Sequence, residues 1–480
     1  MRAATKAVSA ETARIRWRFS QLSQSRSDRI CQYSCRQARL HSAETGAMDF
    51  AITLFRSAMG LGLLLAFCYW LSEDRKRIRW SLVGYGIGLQ LVLALLILKV
   101  PIFYEAMRSA SALFNRLVSF SNEAAVFLFG RLASDAEGSF GFAFTVLPTI
   151  IFFSAFSAIL YYLRVLPCLV YAFAWMLSKT LRLTGVESLA AAANVFVGQT
   201  EAPLVIRPFL KNMNRSEIMS LMTGGMATIA GGVLVIYMGV LGGGSEEQAI
   251  AFGQHLLTAS ILSAPAAMVV AKILAPQTKT IDATLTFPEE RMGDSLLDAT
   301  TRGTRDGIKL ALNVGGMLIA FTALLALANW IVSEWIGSWT GLNLWVSDIT
   351  EGKFDAFNVS FVIGVASAPF AWIIGVPWED CLVVGQLLGE RLVLNEFIAY
   401  LDLAKFREAN AFEDPKSIAI ATYALCGFAN LTSIGIQVGG IGSLEESQRP
   451  VLLSCGLKSL IGGMVACYMT AIIAANLISG

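Results

Sequence analysis

Asn194-Val195-Phe196-Val197-Gly198-Gln199-Thr200-Glu201-Ala202-Pro203 places two amides, a hydroxyl and a carboxylate within ten residues of a chain that is 55% hydrophobic. An ionisable side chain at the centre of a membrane helix costs roughly 2.5–3.5 kcal/mol on insertion scales, and such groups ordinarily mark ion or substrate pathways. A second polar cluster, Asn395-Glu396 with Asn430 and Ser433, follows about 200 residues later. Two such clusters in two similar halves point to a transporter.

Composition sets the class. The 480 residues have a mean hydropathy of +0.60, and 15% are charged, against about 25% in soluble domains. Several apolar runs approach the ~20 residues needed to cross ~30 Å of hydrocarbon. The expected fold is therefore an all-α polytopic membrane protein, without the short alternating segments of a β-barrel. Residues 1–47 carry nine basic and three acidic residues, which leaves the rest acidic on balance. No basic stripe exists for nucleic acid. Eight Cys without a CxxC pair read as small buried residues, and two His far apart, His41 and His255, do not suggest a metal or catalytic centre.

The leader 1–47 is Arg- and Ser-rich with no apolar core, unlike a secretory signal. It is expected to be a disordered extension, or to precede a natural start at Met48. An N-terminal helix pair occupies 48–101: one helix over Asp49–Leu71, then the basic loop 72–80, cytoplasmic by the positive-inside rule, then Leu82–Val100 before Pro101. Within 102–186, residues 102–140 read as interfacial helices and Phe142–Leu163 as a third span, with further helix to Leu177.

From Glu187 to Lys211 polar groups sit mid-segment and charges at both ends, which suits a re-entrant hairpin. Irregular backbone at that depth is tolerated where protein or a cavity surrounds it. A broken helix over Ser216–Leu241 and a span over Leu256–Leu274 complete the first repeat, 187–275. Residues 276–377 hold a polar cytoplasmic linker or surface helix to 305, a long scaffold span over Gly307–Trp335, a polar loop over Trp339–Phe357 and a surface helix over Val359–Val376. The second repeat, 378–480, replays the order: hairpin Trp378–Lys405, broken span Ile418–Ile441, span Val451–Asn476. The total is about eight transmembrane helices and two re-entrant hairpins in an inverted repeat, with the site where the broken elements meet.

Broken helices leave unpaired carbonyls. Those near Val197 and Ile229, with the side-chain oxygens of Asn194, Thr200 and Thr228, can surround a weakly held monovalent cation rather than Zn²⁺ or Ca²⁺. Gln199 and Glu201 offer edges to a planar amide-like heterocycle, and Glu396, Asn430 and Ser433 can hold a polyol. Two other readings stay open: interhelical glue, and a proton relay through buried Glu.

At these residues the chain resembles the concentrative nucleoside transporter family. The likeness rests on Gly198–Pro203, Gly231-Gly232-Val233, Leu394-Asn395-Glu396-Phe397-Ile398-Ala399-Tyr400 and the run from Tyr423 to Gly440, and covers roughly 48–480. Without the additional N-terminal helices of animal members, it is similar to the bacterial form. The resemblance implies a homotrimer of eight-span protomers in the inner (plasma) membrane. It implies no enzyme activity and no cofactor beyond Na⁺ as coupling ion, with nucleoside, Na⁺ and the lipid bilayer as partners and no nucleic acid. Nucleosides would be imported down the sodium gradient by elevator-type alternating access, or alternatively by proton coupling. It places Gln199, Thr200 and Glu201 on the nucleobase; Glu396, Asn430 and Ser433 on the ribose; Val233 and Phe428 as apolar neighbours; and Asn194, Val197, Thr200, Thr228 and Ile229 around Na⁺. Gly198, being small, is expected to leave room for a purine.

Overall fold

A computed structural model describes residues 52–134, 141–278, 284–285, 293–350 and 352–478. The expectations for the 1–47 leader, and part of the 276–305 linker, lie outside them. The chain divides into Met1–Arg56 and Ser57–Gly480, and the packing below belongs to the second unit. Among the described residues every regular element is helical. The larger ones are α1 (Ile52–Leu71), α2 (Trp80–Lys99), α3 (Pro101–Phe129), α4 (Gly141–Tyr162), α5 (Val165–Leu181), α6 (Gly185–Phe196), α7 (Arg215–Ala227), α8 (Gly231–Gly242), α9 (Glu246–Leu274), α10 (Leu296–Ile331), α11 (Val359–Ile373), α12 (Cys381–Val393), α13 (Glu396–Glu408), α14 (Pro415–Leu425), α15 (Leu431–Leu444) and α16 (Arg449–Leu477).

The protein is an all-α polytopic membrane protein. Among the described residues six helical segments are long and apolar enough to cross a bilayer, or seven if α4 and α5 count as one span bent by 74°. The bend falls at Arg164, which has φ +64°, just before Pro167 in the first turn of α5. The eighth expected span, Ile418–Ile441, is divided at 426–430 into helices of 11 and 14 residues, each too short to cross alone.

The described part of 102–140 is helical, as expected, and two other expectations are corrected. Residues 101–129 form one 29-residue helix, pinned to α9 where Ser111 Oγ donates to the Ile250 carbonyl at 2.7 Å. The scaffold helix starts at Leu296 rather than Gly307, because Ser295 caps it by accepting from the Asp298 amide, so residues 296–305 of the polar stretch are its first turns. The loop over Trp339–Phe357 holds the helix Leu342–Ile349. Most of α10 presents apolar side chains outward, including Leu312 and Ile319, as an element solvated by hydrocarbon must.

Both hairpins form. The first runs down α6, turns at 197–201, and returns through two single helical turns, Ala202–Val205 and Arg207–Leu210, shortened by Pro203 and Pro208. The second has two 13-residue arms, α12 and α13. Each is anchored at its start by a buried acid. Glu187 completes a capping box with Thr184, accepts from Ser220 Oγ at 3.0 Å and pairs with Lys272, joining α6 to α7 and α9. Asp380 accepts from Ser417 Oγ at 2.6 Å and from the Glu413 amide at 2.9 Å, joining α12 to α14. The same construction at both hairpins expresses the repeat.

The hairpins meet α10 at different heights. A cavity beside the first is lined by α10 residues from Arg302 to Asn313, and one beside the second by residues from Thr322 to Asn329. These blocks lie roughly 18 residues apart, about 27 Å along a helix, as expected for hairpins entering from opposite sides.

Candidate functional site

Each broken helix stops where its backbone cannot continue. α7 ends at Thr228, which is extended (φ −123°, ψ 163°), and α8 restarts after Ala230. α14 ends at Cys426, and α15 restarts with Asn430 as its N-cap, whose side chain accepts from the Ser433 amide at 2.8 Å. The breaks lie against each other: a Cβ at Gly427 would sit 2.8 Å from the Met226 carbonyl oxygen.

A continuous hydrogen-bonded chain unites both hairpins and both breaks. Tyr237 Oη donates to Glu396 Oε1 at 2.9 Å, and Asn430 Nδ2 donates to Glu396 Oε2 at 2.8 Å. Gln199 Nε2 donates to Ser433 Oγ at 3.3 Å, and Gln437 Nε2 donates to Gln199 Oε1 at 2.9 Å and to the Met222 carbonyl at 3.2 Å. Gly225 permits this approach, since a Cβ there would lie 2.6 Å from Gln437 Nε2. Glu396, Asn430, Ser433 and Gln199 are all buried. Both Glu396 oxygens thus face fixed donors, so the carboxylate is held in one orientation.

The residues expected on the nucleobase divide. Gln199 joins this chain. Thr200, exposed, and Glu201, half-buried, line a cavity of about 500 Å³ with Val197, Tyr161 and the α10 side chains Arg302, Asp306 and Lys309. Val233 and Phe428 are partly buried against the main core, beside the site's helices. Gly198 is not spare room for a base: it has φ +103°, and a Cβ would lie 2.5 Å from that of Ala230, so glycine is required to seat the hairpin tip on the first break.

At that break, Thr228 Oγ1 donates to the Asn194 carbonyl at 3.0 Å and to the Gly224 carbonyl at 2.9 Å. Asn194 Nδ2 donates to the Leu221 carbonyl at 3.3 Å, while Asn194 Oδ1 is buried without a hydrogen-bond partner. A buried, unpaired amide oxygen is costly, and it fits the role of a cation ligand. Ile229 is fully buried, whereas Val197 and Thr200 line the cavity.

Sequence reasoning missed three residues. Tyr237 and Gln437 carry the ends of the polar chain; the signal for Gln437 was its position four residues after Ser433, on one helix face. Arg391, 1% exposed, donates to the Ala424 carbonyl, to the Gly427 carbonyl at 3.3 Å and to Cys467 Sγ at 3.2 Å. A cation there caps the C-terminal end of α14, where the helix dipole favours positive charge. Among the described residues there is no group of three or more His, Cys, Asp or Glu able to hold a metal. His255 Nδ1 instead meets Tyr423 Oη at 3.2 Å. Among the described residues no cysteine forms a disulfide, and all but the exposed Cys168 are buried.

Comparison with known proteins places this geometry. Family models described as Na⁺ dependent nucleoside transporter N-terminus, nucleoside recognition, and Na⁺ dependent nucleoside transporter C-terminus match residues 59–132, 143–244 and 255–475. The chain is 34% identical to the nucleoside permease NupC of Helicobacter pylori, over 87% of this chain and 96% of that one. It is 37% identical to solute carrier family 28 member 3 of Rattus norvegicus, of which it spans 58%. The structure of CNTnw in an inward-facing substrate-bound state superposes with a TM-score of 0.78 at 35% identity, covering 88% of this chain and 99% of that one. The chain belongs to the concentrative nucleoside transporter family, a family of membrane permeases rather than enzymes.

Proposed function

We propose that this protein is a secondary active transporter that imports nucleosides coupled to the inward sodium gradient. The observation that carries the reading is the buried chain from Tyr237 through Glu396, Asn430, Ser433 and Gln199 to Gln437. It offers a sugar's hydroxyls a carboxylate and amides, with every polar group already oriented. A nucleoside entering here exchanges protein–protein hydrogen bonds for its own, and a ligand lacking them leaves buried groups unpaired. The ribose therefore falls to Glu396, Asn430 and Ser433, with the base toward Gln199, Thr200 and Glu201 and apolar walls at Val233 and Phe428.

The cation belongs at the first break, with Asn194, Val197, Thr200, Thr228 and Ile229. Thr200 stands two residues from Gly198 and beside the base-facing residues, so an ion that orders the tip also orders the base contacts. One Na⁺ entering across 100 mV contributes about 2.3 kcal/mol. A tenfold sodium gradient adds about 1.4 kcal/mol, and together these support several-hundred-fold accumulation. The two hairpins on one long scaffold helix support an elevator-type movement of the hairpin-bearing part. The protein would work as a homotrimer in the plasma membrane.

The test is uptake of radiolabelled uridine and adenosine into proteoliposomes with and without an inward Na⁺ gradient. Accumulation that collapses when choline replaces Na⁺ supports the reading. Accumulation that persists without Na⁺ and follows an imposed pH gradient replaces it with proton symport, and absence of uptake overturns it.

A further inference from the structure

The cavity between the second hairpin and α10 has no part in the nucleoside or sodium sites above. It measures about 260 Å³. Glu390 on α12 lines it and is 1% exposed. Gln386 Nε2 donates to Glu390 Oε1 at 2.6 Å, but Glu390 Oε2 is buried without a hydrogen-bond partner. Asp402 faces the same space from α13, bonded to Lys405 Nζ at 2.7 Å. Thr322 and Asn329 of α10 and Ser360 of α11 complete the polar lining, and Asn329 Nδ2 donates to Ser360 Oγ at 3.3 Å. The charged groups facing Glu390 are therefore Asp402 and Lys405, and α10 and α11 contribute none to the lining. Two carboxylates against one ammonium leave one negative charge, centred on an oxygen with no donor.

We propose that Glu390, with Asp402, binds a single monovalent cation, either Na⁺ or a proton, at a site separate from the one at Asn194 and Thr228. One uncompensated charge matches one monovalent ion. Placed where the hairpin leans on the scaffold helix, the site is filled or emptied as the two separate. It rests on the transport reading only for its consequence; binding itself is measurable without transport.

The test follows thermal unfolding of the detergent-purified full chain from pH 5 to 8, in NaCl and in choline chloride. Variants are Glu390→Gln, which mimics the protonated acid, and Asp402→Asn; Asn194→Ala serves as the control for the first site. For a proton, the wild-type melting temperature in choline falls by about 2–4 °C as pH rises, and Glu390→Gln abolishes that fall. For Na⁺, Glu390→Gln removes part of the NaCl-induced rise that Asn194→Ala retains. If Glu390→Gln does not fold, Asp402→Asn decides in the same assay. The proposal is overturned if the variant that decides keeps both the wild-type pH dependence and the wild-type NaCl shift. Loss of Na⁺-dependent uridine uptake in the wild type would instead count against the sodium-coupling reading alone.

Discussion

Asn430 holds Glu396: its Nδ2 donates to Oε2 at 2.8 Å, while its Oδ1 caps the first turn of α15. One amide thus fixes both the carboxylate of the second hairpin and the restart of the broken helix. Substrate recognition and helix geometry share a residue.

Glu396→Gln replaces an acceptor oxygen with a donor opposite Asn430 Nδ2 or Tyr237 Oη, and Asn430→Ala removes the clamp. Each is expected to lower uridine uptake at least tenfold, the effect of about 1.4 kcal/mol, while the protein still purifies as a folded species. Initial-rate uptake in proteoliposomes checks this; near wild-type rates in both variants remove the ribose assignment.

Asn194→Ala deletes a side-chain oxygen at the first break that is buried and unpaired. The half-saturating Na⁺ concentration is expected to rise severalfold, with nucleoside affinity at saturating Na⁺ changed less. A Na⁺ titration of uptake that overlays the wild type removes Asn194 from the ion site.

Arg391→Ala leaves the Ala424 and Gly427 carbonyls without their guanidinium donor. An unsatisfied buried group costs about 1–3 kcal/mol, so the melting temperature is expected to fall clearly. Arg391→Lys retains the charge but not the forked donor geometry and is expected to fall between. Equal melting temperatures for all three proteins contradict the capping role.

Glu73, in the loop after α1, bonds Arg215 Nε at 2.8 Å and Lys458 Nζ at 3.1 Å. The Arg215 hydrogen bond, aided by Lys458, holds its carboxyl below the usual carboxylate range. A depressed folded value means that the stabilisation is present above the unfolded carboxylate range and is lost as pH falls through the folded one. Glu73→Gln is therefore expected to lower stability at neutral pH, by no more than about 1 kcal/mol for a solvent-screened pair. The difference from wild type should vanish toward pH 3 in a pH series of melting curves. A difference that does not shrink in acid refutes the electrostatic origin.

The sequence alone determined the class, both hairpins and both breaks, and it singled out Gln199, Glu396, Asn430 and Ser433, which the structure joins by hydrogen bonds. These follow from local rules: twenty apolar residues span a bilayer, polar groups within such a run must serve something, and glycines interrupt helices. Tertiary structure decided which of those groups meet. Gln199 joined Ser433 while its neighbours Thr200 and Glu201 turned to the cavity lined by α10, because adjacent residues in a tight turn point in different directions. Tyr237 and Arg391 were hidden because an isolated tyrosine in an apolar helix, or an arginine one residue after a glutamate, has no local pattern that distinguishes it. Their roles exist only because helices distant in sequence bring a carboxylate to one and bare carbonyls to the other.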